Sequence, residues 1–148
     1  MKSARRRSRE LVVQGLYQWQ VGGQDCSAII GHLATQPNFL QADQAFFSRL
    51  LEGVMESATT LDDNLRSLLD RPLAQISPVE RAILWLAAYE LIHFPETPFR
   101  VIVNEAIDLA KRYGATDGHK YINGVLDRLA SRERPHERRR SPVKTEET

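Results

Sequence analysis

Apolar side chains recur along this chain at spacings of three and four, the period of helices with one buried face. Sustained alternation of period two is nearly absent, as are Asn-Gly turns between β-branched runs, so strands are not predicted. The first helix is read from about Ser3 to Gln20: Val12, Leu16 and Trp19 form its inward stripe, and Gly22-Gly23 stops it. A short second helix covers about Ser27 to Gln36 and ends before Pro37, with Asn38 to Ala42 as a connector. From Asp43 to Asp70, Phe47, Leu51, Val54, Ala58, Leu61, Leu65 and Leu68 make a heptad-like seam suited to a bundle core. Thr59-Thr60, poor helix formers, mark a candidate bend within it.

Ser77-Pro78-Val79-Glu80 is the best-marked helix start: a hydroxyl cap, proline at the first helical position and glutamate at the third. The helix it opens, about Pro78 to Phe94, is apolar on nearly all sides and is predicted to lie at the centre. Pro98 to Tyr113, closed by Gly114, and Asp117 to Ala130 complete the pattern. The reading is an all-α helical bundle over residues 1–131. Beyond Ser131, arginine and glutamate alternate around Pro135 and Pro142 with almost no apolar side chain, so 132–148 is expected to be a disordered charged tail.

Composition agrees with a globular body, at 148 residues and 42% hydrophobic. The formal charge of +1 hides an asymmetry. Residues 1–9 hold five basic and no acidic side chains, residues 10–131 nine basic against fifteen acidic, and residues 132–148 six against four. A basic end on an acidic body fits an anionic ligand at one site and a basic protein at another. Cys26 is alone, which excludes an intramolecular disulfide and a Cys-rich zinc site and fits a reducing cytoplasm. The apolar run Leu11–Val13 is too short for a signal peptide, and Ala82–Tyr89 falls far short of a membrane span, so neither export nor anchoring is expected.

Catalytic constellations are weak. Glu90-Leu91-Ile92-His93 matches half of a di-iron bundle motif, but the second match, Glu133 to His136, falls in the polar tail and contains Pro135. Cys26 has no base or glycine-rich loop beside it in sequence, and no phosphate-cradling glycine loop occurs. The basic N-terminus differs in kind. Arg5, Arg6, Arg7 and Arg9 crowd the first turns of a helix, where positive charge is mildly unfavourable to the dipole. Guanidinium groups match phosphate oxygens and stack on unpaired bases, while a solvated, solubilising terminus is the plainer reading. Asp117, His119, Lys120, Tyr121 and Asn123 open the last helix, where Tyr121 serves either the core or a base stack. Glu80 either pairs with a protein partner or completes its own capping box.

Three segments together identify a family. RRRSRELVVQGLYQWQ, ISPVERAILWLAAYEL and VIVNEAIDLAKRYGATDGHKYINGVLD resemble the NusB family of transcription antitermination factors, in order from about Arg5 to Leu129. The resemblance implies two packed three-helix subdomains and a non-catalytic role without cofactor or metal. It further implies binding to the single-stranded boxA element of ribosomal RNA leader transcripts. NusE, a small-subunit ribosomal protein, would bind alongside, and the complex would keep RNA polymerase in the elongation complex from terminating early. By position it assigns RNA contact to Arg5, Arg6, Arg7, Arg9, Asp117, Lys120, Tyr121 and Asn123, and NusE contact to Glu80. Gly118 departs from the family's common serine and Trp85 from its frequent arginine. Some members are dimers, so a second copy is an alternative occupant of the apolar helix. NusB-like domains also precede RNA methyltransferases, and this chain stops before any glycine-rich cofactor domain.

Overall fold

The structure, a computed structural model, describes residues 2–140. Among the described residues seven helices follow one another: α1 Ala4–Gly22, α2 Cys26–Leu33, α3 Gln44–Arg66, α4 Pro78–His93, α5 Phe99–Tyr113, α6 Gly118–Glu133 and α7 Pro135–Arg140, with single 3-10 turns at Phe39–Gln41 and Leu73–Gln75. No strand occurs among the described residues. Helix starts are set locally: the side chains of Ser3, Asp25, Asp43 and Ser77 accept from the backbone N–H three residues on, at α1, α2, α3 and α4. Gly23, in the left-handed region with φ 72°, returns its N–H to Trp19 and ends α1. The predicted bend at Thr59-Thr60 interrupts nothing: α3 runs through it and stops at Arg66, short of Asp70.

α1, α2 and α3 pack on one another, as do α4, α5 and α6, and α1 and α3 both lie against α4. This is the predicted pair of three-helix groups, with α4 central because its sides are apolar almost all round. Ala82 to Ala88 are all buried, as are Leu11, Leu16, Phe47, Leu51, Val54 and Leu126 from the surrounding helices. Each fully buried Leu or Phe side chain contributes about 1.5–3 kcal/mol over its exposed state.

Trp85 faces this core, 4% exposed. Its ring lies 5.5 Å from that of Trp19, and its Nε1–H donates to Asp62 Oδ1 at 2.8 Å while Asp62 Oδ2 accepts from Arg81 at 2.8 Å. The departure from arginine therefore fills an interior position and presents no surface to a partner.

The expected disordered tail begins nine residues too early. α6 continues to Glu133 and α7 is helical to Arg140, while residues 141–148 lie outside the described set. Arg134 is buried, and its guanidinium donates to the carbonyls of Leu91, Phe94 and Thr97 at 2.9–3.0 Å and to Glu137 at 2.6 Å. Glu137 in turn accepts from Phe99 N at 2.7 Å, so this short segment caps the end of α4 and the start of α5 at once. Hydrogen bonding supplies what the missing apolar side chains could not.

Candidate nucleic-acid interface

The arginine run is held at the start of α1 by its own cap and by α3. Ser8 is buried and its hydroxyl donates to Asp43 O at 2.7 Å, while Asp43 N–H donates to Ala4 O at 3.2 Å. Helical spacing then sends successive arginines in different directions. Arg5 is exposed, 3.6 Å from Asp43, with its guanidinium 4.1 Å above the Phe46 ring. Arg6 reaches α5, where it bonds both oxygens of Glu105 at 2.9 and 3.1 Å and Asp108 at 2.6 Å. The Glu105 bond is the main cause that holds its guanidinium above the ordinary value. The Arg7 side chain makes no ion pair or hydrogen bond among the described residues; its backbone N–H donates to Ser3 O at 3.2 Å.

Arg9 corrects the expectation that all four arginines meet RNA. It is 5% exposed, and Nε and a terminal nitrogen both donate at 2.8 Å to the two oxygens of Glu90, itself 1% exposed. Burial alone would lower its pKa, but the bond and charge of Glu90 outweigh that and raise it. A guanidinium with its fork closed on a buried carboxylate has no face left for a phosphate. The same pair removes Glu90 from the half-motif with His93, because both carboxylate oxygens are taken. His93 instead lies against the Tyr89 ring, with centroids 4.5 Å apart.

The basic end is therefore largely balanced where it sits. Lys2 pairs with Glu10 at 2.9 Å, and Glu10 also takes Arg112 at 2.5 Å. An exposed pair such as Arg5–Asp43 is worth about 0–1 kcal/mol, so a phosphate can replace the carboxylate at Arg5 at little cost, whereas Arg6 is held by a three-bond network to Glu105 and Asp108.

The second cluster forms where α5 turns into α6. Gly114 N–H returns to Ala110 O, and Asp117 adopts a left-handed conformation, φ 66°, that reverses the chain into α6 without a side-chain cap. Asp117, Lys120 and Asn123 are exposed, with Lys120 3.5 Å from Asp117. Tyr121 is half-buried against the core, and burial, with the nearby charge of Asp70, pushes its phenol up. Arg71, from the loop after α3, lies 4.1 Å over the Tyr121 ring. Its guanidinium is held above its ordinary value by the Asp70 hydrogen bond first and by the charges of Asp70, Tyr121 and Glu80 after it. The ring packs inward, and the exposed guanidinium of Arg71 covers its outer face.

Glu80 is 9% exposed. Its backbone N–H donates to Ser77 Oγ at 3.2 Å, while its carboxylate turns to the α5–α6 turn and accepts from Ala115 N at 3.4 Å. The side chain expected on the partner surface is drawn in beneath the second cluster.

The two clusters do not touch. α1 lies along α5, joined by Arg6 to Glu105 and Asp108 and by Glu10 to Arg112, and its far end is tied to α4 by Gln20 donating to Pro78 O at 2.8 Å. Arg6 and Tyr17 are about 16 Å apart at the helical rise. Between the clusters is an apolar groove of about 270 Å³ lined by Val13, Gln14, Tyr17, Val79 and Tyr113 with Glu10 at its edge. Tyr17 and Tyr113 are exposed there. Neither the groove nor Arg71 was visible beforehand: Val13 and Tyr17, four apart beside the core stripe, were the one available signal for the groove, and Arg71 sits in a loop without period.

A sequence model of the NusB family matches residues 6–131. The chain is 54% identical over 134 residues to "Transcription antitermination protein NusB" of Methylobacillus flagellatus, covering 90% of this chain and 87% of that one. It is 49% identical over 146 residues to the protein of the same name from Nitrosomonas eutropha, covering 99% and 87%. Among solved structures, NusB of T. maritima superposes with a TM-score of 0.81 at 33% identity, over 95% of this chain and 99% of the other. A chain from the crystal structure of the antitermination factors NusB and NusE in complex with double-stranded RNA shares the fold, with a TM-score of 0.77 at 21% identity over 86% of this chain and 96% of that one.

Proposed function

The chain belongs to the NusB family, and from that premise we propose that it is a non-catalytic antitermination factor, binding boxA RNA of ribosomal RNA leader transcripts together with NusE. The bound pair would keep the elongating polymerase processive. RNA meets Arg5, Arg6 and Arg7 at one end of the α1–α5 face and Asp117, Lys120, Tyr121 and Asn123 at the other. Arg9 holds α1 in place from within. NusE takes the apolar groove between the clusters, where Val79, Tyr17 and Tyr113 offer area to a basic partner edged by Glu10.

The observation that carries this reading is the arrangement of Arg5, exposed, and Arg6 and Arg7, half-buried, at the start of α1 and of exposed Lys120 at the start of α6, with an open apolar groove lined by Val13, Tyr17, Val79 and Tyr113. No catalytic group is needed on it. Each partner would extend the surface offered to the other, so the two bindings reinforce one another. Fluorescence anisotropy with boxA RNA and a scrambled control, with and without NusE, tests it. Tighter binding of boxA, strengthened by NusE, is expected; equal binding of both RNAs contradicts the reading.

A further inference from the structure

Glu80 and Gly118 belong to different helices, yet each explains the other. Glu80 opens α4, and Ser77 Oγ already satisfies its backbone N–H, so the carboxylate is not needed at its own helix start. It reaches across to the turn between α5 and α6 and accepts from Ala115 N. There it fills the space a side chain at position 118 would need: an ideal Cβ on Gly118 would overlap Oε2 and lie 3.1 Å from Cδ, and one on Gly114 would lie 3.3 Å from Oε2. Gly118 does not have positive φ, so its backbone does not demand glycine. A side chain there would instead have to push the flexible carboxylate end of Glu80 aside.

Its position suits a second task. α6 starts from Asp117 in a left-handed conformation, and no side chain of its own caps it. A carboxylate beside the first residue of a helix offsets the exposed N–H groups and the positive end of the dipole. The first turn it steadies carries Lys120 and Tyr121, and its charge also reaches Arg71 over the Tyr121 ring.

We propose that Glu80 is a positioning residue for RNA binding, a strut from α4 that holds the α5–α6 turn in its RNA-gripping shape, and that Gly118 is present to admit it. The proposal rests on the RNA-binding role given to that turn. It takes Glu80 out of direct contact with the protein partner and makes it act on RNA through Asp117, Lys120 and Tyr121.

A double-mutant cycle on the full chain, without NusE, tests it. Glu80→Ala lowers boxA affinity roughly tenfold, as expected for losing a charged acceptor beneath the binding turn. Gly118→Ala, which would otherwise favour the helix, lowers it similarly by expelling the carboxylate. The double variant binds no more weakly than Glu80→Ala alone, because the added methyl then meets empty space. Amide exchange at Ala115 to Lys120 accelerates in both single variants while far-ultraviolet circular dichroism stays at the wild-type value, which separates a loosened turn from lost folding. Unchanged RNA affinity in Glu80→Ala, together with weakened NusE binding, overturns the proposal in favour of a partner contact. Additive losses in the double variant overturn it as well. A wild-type chain that does not distinguish boxA from scrambled RNA overturns the parent reading and the RNA role of the strut with it, while the exchange data still report whether the strut exists.

Discussion

Four neighbouring arginines of one sequence type have four different environments, and environment decides what each does. Arg9 and Glu90 form a buried bidentate pair, where removing one partner strands a charge in the interior. Arg9→Ala is expected to destabilise the fold by about 3–5 kcal/mol in urea denaturation. Arg7, whose side chain has no partner among the described residues, is the opposite case. Arg7→Ala should shift stability by less than about 0.5 kcal/mol yet weaken boxA binding. If Arg7→Ala leaves RNA affinity intact, the arginine end is a solvated terminus. Sequence alone could not sort these residues. Periodicity gives the direction of a side chain, but the carboxylate waiting for Arg9 is 81 residues away and that for Arg6 is 99.

At the scale of elements, six helices were legible because each advertises a stripe and most a stop: Gly22-Gly23, Pro37, Gly114, and the Ser77-Pro78 start. The seventh was not. Residues 132–140 lack apolar side chains, and a reading that counts burial of such side chains has no means of seeing Arg134 tie three carbonyls together. That hydrogen bonding makes a strong prediction. Arg134→Ala leaves buried carbonyls at the α4 end without a donor and should cost about 2–4 kcal/mol by thermal or urea unfolding, whereas Arg132, at the surface, should cost under about 1 kcal/mol. An Arg134→Ala protein as stable as wild type would return the segment to the status of a tail. The same limit applies to Gly118: the sequence shows its departure from serine but not the Glu80 carboxylate that lies beside it.

For the whole molecule, a charge count of +1 is uninformative because the basic end is paired with the acidic body across helices. Arg6 is tied to Glu105, Arg112 to Glu10 and Arg9 to Glu90, which links α1 to α5 and α4. Charge patterning between segments was thus a guide to fold as much as to ligand. If Arg5, Arg6, Arg7 and Lys120 each meet a phosphate, the logarithm of RNA affinity should fall against log salt with a slope near about −3. By thermodynamic linkage the coupling must also be reciprocal: the factor by which NusE tightens boxA equals the factor by which boxA tightens NusE.

The central claim is that this face holds RNA and a protein partner together, and titrating labelled boxA RNA into the chain with and without saturating NusE tests it most directly. The account predicts that boxA binds more tightly than a scrambled RNA and that NusE widens the difference. Equal affinity for both RNAs, unmoved by NusE, would contradict it.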